Sequence, residues 1–172
     1  MTERLLTADQ HFGHANVIKY ENRPFSSVEE MDEFMIAKWN ARVKKKSMVF
    51  HLGDFSFYPK DKTAEILSRL HGDKIIVLGN HDDRSTQWYY DVGFYHVSRW
   101  PIIIDEFFIL SHAPVYMNEA MPYMNIHGHL HSKWMEGANF YNVGVECNNY
   151  TPLSIDEIKK RFALLKSKEV SK

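Results

Sequence analysis

Apolar positions along the chain follow two rhythms in alternation. Short apolar runs of strand length fall at residues 4–8, 47–52 and 74–78. The third, KIIVL, is unbroken and suits a parallel strand covered on both faces. Between the first two, Ser27-Val28-Glu29-Glu30 reads as a capping box, the serine capping and Glu30 reaching back. Val28, Met31, Met35, Trp39 and Val43 then recur at intervals of three and four, the spacing of one helix face. Residues 61–70 predict another helix, with Gly72 as its left-handed stop. The second half is richer in strand patterns, at residues 94–98, 101–104, 106–110, 123–127 and 140–143. A second capping box, Ser154-Ile155-Asp156-Glu157, opens a last helix with Ile155, Ile158, Phe162 and Leu165 on one face. The pattern predicts an α/β fold of two facing sheets with helices outside.

Length and composition narrow the class. With 172 residues the chain is read as one domain, 1–172. Its composition, 44% hydrophobic and 25% charged, is that of a folded globular protein. A net charge of -1, with Lys44-Lys45-Lys46 the longest basic block, predicts no extended nucleic-acid surface. No run approaches the ~20 apolar residues of a membrane span, and the first residues lack an apolar signal core. The single cysteine, Cys147, excludes an internal disulfide and fits a reducing compartment. The expectation is a soluble, cytoplasmic protein. Nothing in the composition bears on oligomeric state.

The ten histidines bring chemistry into this frame. Five segments share one layout, in which an apolar strand ends and a metal-ligating side chain follows at once. Asp9 and His11 follow the first strand, Asp54 the second, and Asn80 the third, with His81 and Asp82 behind it. His112 follows EFFILS, and His129 and His131 follow YMNIHG. Ligands in open α/β sheets bind beyond the carboxyl ends of strands, so the five tips converge on one edge. Glycines 53, 79 and 128 permit sharp turns there. Imidazole with carboxylate suits Zn, Mn, Fe, Co or Ni, and the lack of paired cysteines argues against a thiolate site. Each piece alone has an ordinary reading: Asp9-x-His11 as a turn, Asn80-His81-Asp82 as a helix cap, His129-x-His131 as a half-exposed strand pair. Their joint occurrence in order is what those readings leave unexplained.

DQH at 9–11, GD at 53–54, GNHD at 79–82, SHAP at 111–114 and GHLH at 128–131 resemble the five motifs of the calcineurin-like metallophosphoesterases. The stretch HFGHANVIKYENRPFSS at 11–27 is similar to a small single-domain phage and bacterial subgroup. The resemblance implies a four-layer α/β/β/α sandwich of two mixed sheets flanked by helices. It implies two divalent transition-metal ions, manganese first, with Fe, Zn, Ni or Co as alternatives. Asp9, His11 and His131 would hold one ion and Asn80, His112 and His129 the other. Asp54 would bridge them, and His81 would sit by the substrate as general acid. The implied partner is a small phosphate ester, nucleotide-derived, with a diester slightly favoured over a monoester.

The family's protein phosphatases continue the GD motif into Asp-Arg-Gly. Here Gly53-Asp54 runs into Phe55-Ser56-Phe57-Tyr58, so that branch does not fit. His14, Arg23 and Arg84 are candidate substrate contacts. Each has a structural alternative: a residue at a helix start for His14, a salt bridge for Arg23, a solvated side chain for Arg84. His51 and His127, inside apolar strands, read as core or supporting residues. The competing function is a catalytically inactive scaffold on the same fold, in which ligand positions or His81 would be expected to be lost. A metallo-β-lactamase site is disfavoured because His129-Leu130-His131-Ser132 breaks its His-x-His-x-Asp-His pattern.

Overall fold

The computed structural model describes residues 2–118 and 120–170, with side chains described to residue 164. The first sheet contains β1 (Arg4–Thr7), β2 (Met48–His51), β3 (Asp73–Val77), β4 (His96–Ser98) and β9 (Leu153–Ser154), in the order β4-β3-β2-β1-β9. Strands β1 to β4 run parallel, and β9 pairs antiparallel with β1, which makes the sheet mixed. The second sheet, β5 (Ile102–Ile104), β6 (Phe108–Leu110), β7 (Met124–His127) and β8 (Phe140–Asn142), is ordered β5-β6-β7-β8. Its β5–β6 pair is antiparallel and the rest parallel. The two mixed sheets flanked by helices are those anticipated from the sequence.

Strand alternation divides the core into two layers. Leu5, Val49 and Ile76 turn toward the helices and join Met31, Met35 and Trp39 of α2 (Val28–Arg42). Ile66 and Leu67 of α3 (Lys60–Arg69) and Tyr89 and Val92 of α4 (Thr86–Val92) complete that layer. Leu6, Phe50, Ile75 and Val77 turn the other way and meet Phe108, Leu110, Met124 and Ile126 of the second sheet. Ile155, Ile158 and Phe162 of α5 (Ile155–Val170) enter this second layer as one face. Leu165, expected on the same face, lies outside the residues whose side chains are described.

Both capping boxes form, with one difference. Ser154 Oγ accepts the Glu157 N–H at 3.2 Å, and Glu157 Oε2 accepts the Ser154 N–H at 2.7 Å. Ser27 Oγ accepts the Glu30 N–H at 3.1 Å, but Glu30 reaches one residue further back, to the N–H and hydroxyl of Ser26. Gly72 has the left-handed backbone expected (φ 81°), yet the cap of α3 is Leu70, in extended geometry. The glycine instead bends the chain into β3, where a Cβ would come 2.8 Å from the Ser47 carbonyl. Two short helices carried no clear periodic signal: α1 (Ala15–Tyr20) and α4. Among the described residues no helix is long and apolar enough to cross a membrane.

Candidate metal centre

The tips of β1, β2, β3, β6 and β7 meet at one end of the sandwich. Backbone hydrogen bonds fasten them: Asp9 N–H donates to Gly53 O (3.1 Å), His11 N–H to Asp54 O (3.1 Å) and Gly128 N–H to His112 O (2.9 Å). Asp9, His11, Asp54, His129 and His131 all have left-handed backbones, with φ between 50° and 66°. A non-glycine residue there costs roughly 1–2 kcal/mol. Such strain concentrates at functional sites, and here it falls on five of the seven predicted ligands. The glycines act mainly through close approach. A Cβ on Gly128 would lie 2.5 Å from Ala8 Cβ and 2.6 Å from Asp9 Oδ2, and one on Gly53 would lie 2.7 Å from Gly79 Cα.

The side chains form a continuous cluster. His112 Nδ1 lies 2.8 Å from the Leu52 carbonyl, which can only accept, so Nδ1 carries the proton and Nε2 is bare in the neutral ring. That bare nitrogen faces Asn80 Oδ1 at 2.8 Å, His129 Nδ1 at 3.2 Å and Asp54 Oδ2 at 3.5 Å. Asn80 Oδ1 and His129 Nδ1 are 2.9 Å apart. Asp54 Oδ2 also lies 3.6 Å from His11 Nε2, between the two groups of imidazoles. Two donors each about 2.1 Å from one ion are themselves roughly 3–3.5 Å apart. These spacings therefore suit donors that share a cation.

The deeper part of the cluster has unmet polar atoms. Asp9 Oδ1 and both ring nitrogens of His11 are buried without a hydrogen-bond partner. Asp9, His11 and His131 present ligand atoms within 4.8 Å of one another, as do Asp9, Asp54 and His112. Burial, reinforced by the charges of Asp54 and Glu146, holds the Asp9 carboxyl well above its ordinary range despite the opposing His131. Burial, followed by neighbouring His131 and Arg23, pushes His11 down to about 2. Burial and His112 likewise lower His129. An Asp9 that resists ionising beside a His11 and a His129 that resist protonation is what such crowding produces without a cation, and a bound cation inverts that balance. His131 departs from this: burial opposes its protonation, but the Glu146 carboxylate raises it. The donor set and its orphaned atoms fit divalent metal.

Buried polar residues hold these ligands. Asp82 accepts the N–H groups of Asp54 (2.7 Å), Gly79 (2.8 Å) and Phe55 (3.2 Å), which ties the second and third motifs together. Asn142 Nδ2 donates to the carbonyls of His131 and Lys133 and so fixes the GHLH loop. His51 pairs with Gln10 Oε1, and His127 Nδ1 lies 2.8 Å from Gly128 O; both are buried supports, as their strand positions implied.

The candidate substrate contacts separate. Arg23 is corrected to a structural role. Its side chain is fully buried, and its donors reach Gln10 O, Met31 Sδ, Asp9 O and Glu146 Oε1, leaving none for a phosphate. His14 precedes α1 and stacks on Phe57 with centroids 4.2 Å apart. His81 is exposed; its N–H donates to Asp54 Oδ1 at 2.9 Å, and its ring is 5.3 Å from that of Phe57. Arg84 is exposed, 3.4 Å from Asp83, on a groove of about 190 Å³ that it lines with Phe57, Asn80, His81 and Trp88. Sequence reasoning missed Glu146 and Asn142. Glu146 lies 123 positions from its partner Arg23, and no local spacing links them.

Residues 5–169 match the calcineurin-like phosphoesterase family. The chain belongs to that family. As a calcineurin-like phosphoesterase it is of the metal-dependent phosphoester-hydrolase class, whose members bind divalent metal. It is 36% identical over 174 residues to an uncharacterised protein of Methanocaldococcus jannaschii, covering 93% of this chain and 91% of that one. A solved structure of a protein of unknown function from Aquifex aeolicus superposes with a TM-score of 0.74 at 26% identity, covering 93% of this chain and 99% of that chain. A nuclease of Pseudomonas putida shares the fold, with a TM-score of 0.51 at 20% identity over 74% of this chain and 60% of that chain.

Proposed function

We propose that this calcineurin-like phosphoesterase hydrolyses a small phosphate ester at a two-cation centre. One observation carries the reading: the spacing of 2.8–3.6 Å that links Asn80, His129, His112, Asp54 and His11 in one unbroken chain of donors. Asp9, His11 and His131 form the inner half and Asn80, His112 and His129 the outer half, with Asp54 Oδ2 between them. Two divalent ions, manganese being the leading choice, would supply charge neutralisation for the phosphate oxygens and an acidified water.

The chain's own residues supply position and a proton. His81 is the candidate general acid for the leaving oxygen, since its ring is exposed while its backbone is anchored on Asp54. The groove beside it, walled by Phe57 and Trp88, is open to a leaving group. Arg84 on its rim is available to a phosphate oxygen, and Phe57, on which His14 stacks, lines the same groove. A diester is favoured over a monoester, and a nucleotide-derived ester is the leading substrate class, both by family analogy. Cys147, the single cysteine, is consistent with a cytoplasmic setting.

The test is hydrolysis of bis-p-nitrophenyl phosphate by metal-stripped protein, with Mn²⁺ added back. Turnover that appears with Mn²⁺ and disappears with chelator is expected. No turnover with any of Mn²⁺, Fe²⁺, Zn²⁺, Ni²⁺ or Co²⁺ would favour the inactive scaffold.

A further inference from the structure

We infer that Glu146 is a positioning residue for the metal centre, acting through the ring of His131, and that Arg23 holds it in place. Glu146 sits in a 3₁₀ turn, Val145–Asn148, just beyond β8, outside the five ligand-bearing segments. Its Oε1 lies 3.0 Å from His131 Nδ1 and accepts from Arg23 Nε at 2.9 Å and Nη2 at 2.5 Å. A carboxylate beside a buried guanidinium is acceptor-only. His131 therefore presents a proton at Nδ1, and in the neutral ring it keeps the lone pair of Nε2 for the centre. Outer-shell carboxylates of this kind fix the tautomer and orientation of a ligating imidazole and raise its basicity.

The same guanidinium reaches the first ligand segment. Arg23 Nη2 donates to Asp9 O at 2.7 Å and Nη1 to Gln10 O at 2.8 Å. One buried cation thus joins the tip of β1 to the residue that aims His131, and both ends of this link serve the inner half. The His131 carbonyl is also held, accepting from Asn142 Nδ2 at 2.9 Å and Cys147 Sγ at 3.1 Å. Ring and backbone of His131 are each fixed from the 140–148 segment.

The inference rests on the two-cation reading, and titration of metal-stripped protein with Mn²⁺ tests the two separately. Wild-type protein should bind two equivalents. E146Q, which removes the charge but keeps the shape, should weaken one equivalent by about 10–100-fold and leave the other unchanged. Its turnover should recover as Mn²⁺ is raised, because the defect lies in occupancy. E146D, which keeps the charge but draws it back by one methylene from His131 Nδ1, should bind more tightly than E146Q and more weakly than wild type. If E146Q does not fold, E146D alone decides: selective weakening of one equivalent supports the role and wild-type binding overturns it. Folded E146Q that binds both equivalents as wild type overturns the inference and leaves the two-cation reading intact. Wild-type protein that takes up fewer than two equivalents overturns that reading and the inference with it.

Discussion

The proposed inner and outer halves of the centre would use similar ligands in contrasting surroundings. Asp9 and His11 are buried to within 2% of complete enclosure, and behind them stand the Arg23–Glu146 pair and the carbonyls it grips. Asn80 and His129 are exposed, and the outer half is fastened by the Leu52 carbonyl on His112, by Asp82 under the loop of residues 79–82 and by the His129 N–H, which donates to Asp9 Oδ2 at 2.9 Å. Enclosure strengthens every electrostatic interaction within it and makes an unpaired group costly. An inner half built this way should hold its cation tightly. An outer half open to water, next to His81 and the groove, is where substrate and ion can both exchange.

Asp54→Ala should break the comparison most completely. Its Oδ2 lies between His11 and His112, and its Oδ1 anchors the His81 backbone, so its loss should lower the content of both ions and abolish turnover. Metal analysis of the purified variant checks this, and retention of both ions would remove Asp54 from the bridging position. His81→Ala should leave both halves loaded while turnover of an ester with a poor leaving group falls by about 10²–10⁴-fold. Near-normal rates on an alkyl ester would remove His81 from proton transfer. His129→Ala should weaken only the outer equivalent, the mirror of the change expected for Glu146→Gln. Stepwise Mn²⁺ titration distinguishes them, and equal weakening of both equivalents would mean the halves are not separable.

The sequence was most legible where a local rule acts alone. The Ser154–Glu157 capping box and the unbroken KIIVL run each predict an element from neighbouring residues, and both elements are present. The convergence of the five motif segments was legible because each follows a strand end, and parallel strands must deliver their carboxyl ends to one edge. Residues whose partners are remote in sequence were not. Arg23 could be read as a phosphate contact or a salt bridge, and only the position of Glu146 decides between them. Helix α4, seven residues with two tyrosines and a tryptophan, has weak propensity and is held by the Ser85 cap, the left-handed Gly93 and packing of Tyr89 and Val92. The left-handed backbone of the ligands has little sequence signature beyond Gly53 beside Asp54 and Gly128 beside His129.

The smallest expected effect tests how far the support of the inner half extends. Asp32 of α2 is buried behind the first motif, accepting the Gly13 N–H at 3.3 Å and the Tyr58 hydroxyl. Burial outweighs both hydrogen bonds and raises its carboxyl to about 6, against an ordinary value of 3.8. The folded state thus binds more protons than the unfolded chain between these values. Stability should fall as pH rises from about 4 to about 6 and stay lower above that, by up to about 3 kcal/mol. Asp32→Asn should flatten this window in urea unfolding measured across it, because the amide cannot ionise and its oxygen can still accept from Gly13. Mn²⁺ affinity should be unchanged, because Asp32 touches a backbone two residues beyond His11 and no ligand ring. A loss of affinity like that expected for Glu146→Gln would mean that the inner half is aimed from α2 as well as from the Arg23–Glu146 pair.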